Sequence, residues 1–104
     1  MKAANMRNSS GNAVLNQFII TGQEYTQGVA ESELSTAYEV FQSYDTIVCK
    51  IEYNNRGKHV TLDTEKWRYS CTTSRYRNIF LQETTKETQQ KIDSSEYVLA
   101  DLNN

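Results

Sequence analysis

The chain has 104 residues, 38% of them hydrophobic, and a formal net charge of −2 at pH 7. This length supports one domain with its own core and excludes a second core of useful size. No run approaches the ~18 apolar residues of a membrane-spanning helix, and the N-terminus lacks a signal peptide's apolar stretch, so we expect a cytoplasmic protein.

Charge is unevenly distributed along the chain. Residues 46–82 carry seven bases and three acids, whereas residues 1–45 and residues 83–104 each carry two bases and five acids. The chain is therefore a basic middle between acidic ends. Folding can interleave these segments, so the net charge by itself identifies no partner.

Apolar periodicity predicts four strands in the first two thirds of the chain. We expect residues 1–12, which are polar and small, to be a disordered tail, and residues 13–104 to form a single domain. Strands are predicted at 13–21, 38–42, 46–53 and 58–62. The sequence N-N-R-G predicts a hairpin between the last two strands. Residues 22–36 contain two glycines and are predicted to be a loop, with a helical turn over 29–34.

Two helix-start signals follow. The run T-T-S at 72–74 can accept hydrogen bonds from the free N–H groups of a helix start, and apolar residues follow at helical spacing. Thr84 with Glu87 is typical of a capping box that opens a short helix over 85–92. A final strand is predicted at 97–100. The order β-β-β-β-α-α-β gives an α+β fold class: a small antiparallel sheet of about five strands with two short helices on one face.

Residue types that could carry chemistry have structural explanations. His59 is the only histidine and lies on a predicted strand, facing away from the apolar positions. Cys49 alternates with apolar residues and is predicted to be a small core residue, whereas Cys71 precedes a helix. Nucleophile types at 70–73 fit helix capping. We therefore predict no catalytic residue, no metal site and no cofactor, and a protein that is not an enzyme.

Residues 69–81 follow the pattern Y-S-x-T-T-x-x-Y-R-x-x-F-L. Together with flanking segments over about residues 13–103, this pattern resembles a group of short proteins of unknown function that are common in bacteriophages and other mobile elements. The sequence departs from the group at Cys71, where a basic residue is frequent, and at Gln82 and Ser95, where glycine is frequent. The resemblance implies a mobile-element accessory protein in a bacterial host and, by analogy, an anti-CRISPR-like inhibitor of host defence.

Protein–protein binding is the function that we predict, with a host protein as partner and a nucleic-acid-binding defence effector as one candidate. Seven tyrosines and one tryptophan supply side chains that are favoured at interfaces. The acidic segment around residues 22–36 could meet a basic groove that normally holds nucleic acid. The candidate partner-binding residues are Tyr25, Glu31, Glu33, Tyr38 and Trp67. The oligomeric state stays open.

Nucleic-acid binding is the alternative. Four bases are interleaved with aromatic residues, a mixture that combines phosphate contact with base stacking. The candidate residues are Lys66, Arg68, Arg75 and Arg77. Since Arg75 and Arg77 are about 200° apart around a helix, they would flank its apolar stripe on opposite sides, which disfavours a simple recognition helix.

Overall fold

The computed structural model describes residues 2–25, 35–54 and 56–103. These residues form one six-stranded sheet and two helices, which confirms the predicted α+β class. The elements in chain order are β1 (Lys2–Arg7), β2 (Ala13–Tyr25), β3 (Ser35–Ser43), β4 (Thr46–Asn54), β5 (Gly57–Asp63), α1 (Cys71–Leu81), α2 (Thr85–Asp93) and β6 (Val98–Ala100). Over the described ranges, neither helix is long and apolar enough to cross a membrane.

The strands lie side by side in chain order, β1 to β6. The first five are antiparallel to their neighbours, whereas β6 runs parallel to β5. The sheet is therefore mostly antiparallel, which confirms the predicted antiparallel sheet except at the β6 edge. A parallel neighbour needs a crossover connection, and the two helices between β5 and β6 provide it.

The N-terminal segment is not a disordered tail in this structure. Residues Lys2–Arg7 form an edge strand that pairs with β2. The side chain of Met6 is only 3% exposed and joins the main core. Asn5 also donates from Nδ2 to the carbonyl oxygen of Val14. The composition of this segment does not predict a strand, because β1 is stabilised by its pairing with β2 and by the burial of Met6.

A β-bulge changes the alternation of β4. Phe41 is opposite Cys49, and the next residue of β3, Gln42, is opposite Ile47, so Val48 is an extra residue in β4. Both Val48 and Cys49 are fully buried. Strict alternation along this strand would have placed Ile47 and Cys49 on the same face. The bulge instead places Val48 in the core with Cys49, while Ile47 remains half-buried and outside the core cluster.

The helices begin and end at residues with the expected capping chemistry. Ser70, rather than the predicted T-T-S run, is the N-cap of α1, and its hydroxyl accepts a hydrogen bond from the Thr73 N–H. Helix α1 ends at Leu81, and its C-cap, Gln82, adopts the left-handed conformation. The predicted capping box of Thr84 and Glu87 is present at the start of α2. Both helices pack on one face of the sheet, through Phe80 and Leu81 of α1 and Ile92 of α2.

The predicted loop at 22–36 is partly strand. Strand β2 continues to Tyr25 and β3 begins at Ser35, and these two residues are paired. The predicted helical turn over 29–34 lies outside the described residues.

Candidate functional site

Trp67, a predicted partner-binding residue, is in the core rather than on the surface. Its side chain is 6% exposed. Two guanidinium groups lie near its ring: Arg77 at 4.9 Å from the ring centroid and Arg68 at 5.1 Å. The Trp67 ring therefore stabilises the packing of the helical region and is not available for binding at the surface in this structure.

Arg77, a predicted nucleic-acid contact, is fully buried. Its Nη1 donates a hydrogen bond to the backbone carbonyl oxygen of Trp67, and its Nη2 donates to Asn78 Oδ1 at 2.8 Å and to Thr85 Oγ1 at 2.7 Å. Burial lowers the pKa of Arg77, an effect that the carboxylate of Glu83 partly offsets. Because the acceptors belong to the core and to the start of α2, Arg77 joins the two helices and is unavailable to phosphate.

The other three predicted nucleic-acid contacts remain accessible. Arg68 and Arg75 are exposed and Lys66 is half-buried. The Lys66 ammonium lies 4.9 Å from the centroid of the Tyr69 ring, and Tyr69 is 48% exposed. The Arg75 guanidinium lies 5.8 Å from the ring of Tyr76. Of the four bases that the sequence predicted as one binding group, Lys66, Arg68 and Arg75 are therefore at the surface and Arg77 is in the interior.

Tyr38 lies flat on the sheet surface that faces away from the helices. It is directly opposite Gly22, and a β carbon built at Gly22 would lie 2.5 Å from the Tyr38 hydroxyl oxygen. The Lys50 ammonium lies 5.3 Å from the centroid of the same ring. Any side chain at position 22 would displace the Tyr38 ring, so the ring can lie against the neighbouring strand only because residue 22 is glycine.

The pairing of β2 with β3 extends past the pairing of β3 with β4. The last residue pair between β3 and β4 is Ala37 with Tyr53, whereas pairing of β2 with β3 continues for two more residues, to Tyr25 with Ser35. Residues 21–39 contain four glutamates and no lysine, arginine or histidine. We call residues 21–39 the acidic hairpin. The four glutamates are Glu24, Glu31, Glu33 and Glu39.

Two of the predicted contact residues, Glu31 and Glu33, lie outside the described residues, and the Tyr25 backbone is described whereas its side chain is not. The neighbouring hairpin between β4 and β5 carries two bases, Arg56 and Lys58. In the sequence, negative charge is therefore concentrated in residues 21–39, whereas the hairpin between β4 and β5 is basic.

A shallow cavity of about 710 Å³ lies at the base of the acidic hairpin. Lys2 contributes a cation to its lining, and Glu39 and Tyr53 contribute a hydrogen-bonded carboxylate and phenol. Partial burial, followed by the Glu39 carboxylate, raises the pKa of Tyr53. Sequence reasoning missed Lys2 and Tyr53 because the first lay in the predicted tail and the second in the predicted core.

The buried titratable groups have structural partners. Glu83 accepts hydrogen bonds from Tyr97 at 2.6 Å, from Thr88 at 2.6 Å and from Lys91 at 3.0 Å. Burial opposes ionisation of Glu83, but the hydrogen bonds outweigh it, so its pKa is lowered. Burial raises the pKa of the Cys49 thiol. Within the described ranges, no group of three or more His, Cys, Asp or Glu residues is placed to hold a metal ion.

One family model matches residues 1–96: it describes a family of unknown function, DUF8033. No curated protein and no solved structure matches the chain.

Proposed function

The chain belongs to the DUF8033 family of unknown function, and from its geometry we propose that it is a non-enzymatic binding protein whose acidic hairpin contacts a basic surface of a host protein. In this proposal it is an accessory protein of a bacteriophage or other mobile element. It acts in the cytoplasm of the bacterial host as an inhibitor of a defence system, in the manner of an anti-CRISPR protein.

The charge and position of the acidic hairpin carry this proposal. Four glutamates with no base in residues 21–39 give this segment a strongly negative potential, and pairing of β2 with β3 continues two residue pairs past Ala37 with Tyr53, the last pair between β3 and β4. A basic groove that normally binds nucleic acid is the complementary surface, because phosphates and carboxylates are recognised by the same Arg and Lys side chains. The expected partner is therefore a nucleic-acid-binding host protein.

Charge reversal within the acidic hairpin tests the proposal. Wild-type protein is used to capture partners from a host lysate, and Glu31→Lys/Glu33→Lys is compared with Glu65→Lys/Glu96→Lys. The control pair makes the same charge change at two exposed glutamates of other segments. We expect a captured protein that binds DNA or RNA, that added nucleic acid displaces, and that only the hairpin variant fails to capture.

Three results would contradict the acidic-hairpin mode. The first is a captured protein with no affinity for nucleic acid. The second is capture that added nucleic acid does not reduce. The third is equal capture by the hairpin variant and the control variant.

Direct nucleic-acid binding is the second candidate, and the accessible cations near Tyr69 favour it. Lys66 lies over the exposed Tyr69 ring, and the exposed Arg68 lies next to it in the chain, a combination of cations and an aromatic ring that single-stranded nucleic acids contact. Electrophoretic mobility shifts with DNA and RNA across salt concentrations test it. Phosphate contacts predict an affinity that falls steeply with salt and is lost in Arg68→Glu but retained in Lys86→Glu, which makes the same charge change at an exposed residue of α2.

A further inference from the structure

The sheet has a second apolar cluster on the face opposite the helices. Val40 is 7% exposed, yet it does not belong to the core cluster on which both helices pack. Cross-strand register places Ile20 and Lys50 on either side of Val40. Phe18, Tyr38 and Ile47 lie at neighbouring positions of the same face and are half-buried. We call this surface the open face: Phe18, Ile20, Tyr38, Val40, Ile47, Lys50 and Glu52.

The helices do not cover the open face. Both contact the sheet through the opposite face, where Phe41 meets Phe80 with 5.9 Å between ring centroids. At the edge, Val98 is the register partner of Thr61 and is 56% exposed. Apart from the buried Val40, the apolar side chains of the open face are half-buried, and neither helix covers the apolar surface that they leave accessible.

We propose that the open face binds a second copy of this chain, face to face, and makes the protein a homodimer. The size of the face suits a dimer that forms reversibly. The open face spans three strands, β2 to β4, and at about 4.8 Å per strand and about 3.3 Å per residue it is about 14 Å wide and about 30 Å long. The resulting area of roughly 400 Å² per copy is that of a small interface, so the dimer should dissociate on dilution.

Charge on the open face is self-complementary. Lys50 and Glu52 are two residues apart on β4 and therefore point to the same side. In an interface with two-fold symmetry, each residue meets the residue related to it across the axis. An axis that crosses β4 at the level of Ile51 sets Lys50 of one copy against Glu52 of the other. A surface with one cation and one anion in this arrangement suits a second copy better than a strongly charged partner.

Mass measurement of the full chain by light scattering after size-exclusion chromatography tests the dimer. We expect a mass of twice 12.0 kDa at high concentration and dissociation on dilution. Ile20→Lys should abolish the dimer, whereas Ile79→Lys should leave it intact, since Ile79 is 49% exposed on α1 at the other side of the sheet. Trp67 fluorescence and circular dichroism verify folding of each variant.

If Ile20→Lys fails to fold, an exchange of the charges at Lys50 and Glu52 still tests the dimer. Lys50→Glu and Glu52→Lys should each raise the dimer dissociation constant by about tenfold or more, because each sets like charges against each other. The combination Lys50→Glu/Glu52→Lys should restore the wild-type dissociation constant, since the exchanged charges again meet opposite charges.

Several outcomes overturn the proposal. A monomer at every concentration does so, as does a folded Ile20→Lys dimer or a double variant no tighter than the single variants. If the free protein is monomeric and Ile20→Lys removes a captured host protein, the face belongs to that partner instead. None of these results depends on Glu31 or Glu33, so they test the dimer independently of the acidic-hairpin proposal.

Discussion

The guanidinium carbon of Arg77 lies 4.9 Å from the centroid of the Trp67 ring, and Nη1 of Arg77 donates a hydrogen bond to the Trp67 backbone carbonyl oxygen. The same guanidinium reaches Thr85 in the first turn of α2. One buried side chain therefore connects the turn before α1, α1 itself and α2. Arginine suits this position because its planar guanidinium holds several donors in a fixed geometry.

Replacement of Arg77 by methionine should destabilise the protein strongly. The substitution keeps much of the side-chain volume but leaves the Trp67 carbonyl without its donor, and the Thr85 hydroxyl keeps only the donor from Asn78. Each loss costs about 1–3 kcal/mol, so we expect a decrease of about 2–6 kcal/mol in the free energy of unfolding. Urea denaturation followed by Trp67 fluorescence measures it. Lysine should not restore stability, because a single ammonium cannot replace the planar guanidinium.

Arg75→Met is the matched control for Arg77→Met. Arg75 is exposed on the same helix and its one ring contact, with Tyr76, is 5.8 Å long. An exposed contact of this type contributes less than about 1 kcal/mol. Equal effects of the two substitutions would show that Arg77 does not connect the helices as described.

The buried role of Arg77 could not be read from the sequence. Helical spacing placed Arg75 and Arg77 on opposite sides of the apolar stripe, but both directions were compatible with solvent. The distinction depends on where the Trp67 carbonyl and Thr85 lie after folding, which is tertiary information. By contrast, the capping box of Thr84 and Glu87 was predicted correctly because all its hydrogen bonds lie within four residues.

The sheet shows the same division between local and distant causes. Strands β4 and β5 were predicted closely because a hairpin is specified by adjacent residues and alternating side chains. Strand β1 was missed because its pairing partner is β2 and its single buried residue is Met6. The predicted partner residue Tyr38 is on the open face, yet its position depends on Gly22, a residue that sequence reasoning assigned to a loop.

Tyr97 should make the protein less stable at high pH. Its hydroxyl donates to Glu83 at 2.6 Å, and burial, followed by that carboxylate, raises the pKa of Tyr97 from 10.0 to about 12. Its contribution is complete below pH 10 and is lost as the pH rises towards 12, because the unfolded chain releases the proton first. Urea denaturation over this range should show a falling free energy of unfolding.

Tyr97→Phe should remove much of this alkaline decrease. It should also cost about 1–3 kcal/mol near neutral pH, since buried Glu83 loses a donor. Tyr44→Phe is the control, because Tyr44 is 55% exposed, and should keep the wild-type alkaline decrease. An alkaline curve for Tyr97→Phe that is parallel to the wild-type curve would contradict this assignment.

Asp63 should contribute to stability at neutral pH and lose that contribution in acid. Burial opposes its ionisation, but backbone N–H groups of Leu102, Lys66 and Glu65 outweigh this effect, so its pKa is lowered from 3.8. The contribution is present above pH 3.8 and disappears as the pH falls through the folded-state pKa. We expect a stability that decreases at low pH.

Asp63→Asn should reduce this acid dependence. The amide offers one oxygen where the carboxylate uses both, so at least one backbone N–H loses its acceptor, at a cost of about 1–3 kcal/mol near neutral pH. Asp45→Asn, an exposed control in the turn between β3 and β4, should behave as wild type. If stability falls equally with acid in Asp63→Asn and in wild type, then Asp63 is not a source of the acid loss.

Gly22 and Tyr38 should be energetically coupled. An alanine β carbon at position 22 would lie 2.5 Å from the Tyr38 hydroxyl oxygen and 2.6 Å from Cζ, so the ring must move and leave its contact with Lys50. We therefore expect Gly22→Ala to cost about 1–3 kcal/mol in the presence of Tyr38. In a Tyr38→Ala background the same substitution should be neutral or stabilise by about 0.4–1 kcal/mol, since alanine restricts the unfolded chain more than glycine.

A double-mutant cycle measured by urea denaturation at one protein concentration tests this coupling, because self-association would otherwise add to stability. We expect a coupling energy of at least about 1 kcal/mol between positions 22 and 38. Tyr53 provides the control cycle: it is 38% exposed and lies two residues after the core residue Ile51 on β4, and so on the helix-facing side of the sheet. Gly22→Ala and Tyr53→Ala should therefore be additive. Additive effects at Gly22 and Tyr38 would contradict this prediction, because they would show that the position of the Tyr38 ring does not depend on glycine at position 22. The Tyr38 ring would then not lie flat on the open face.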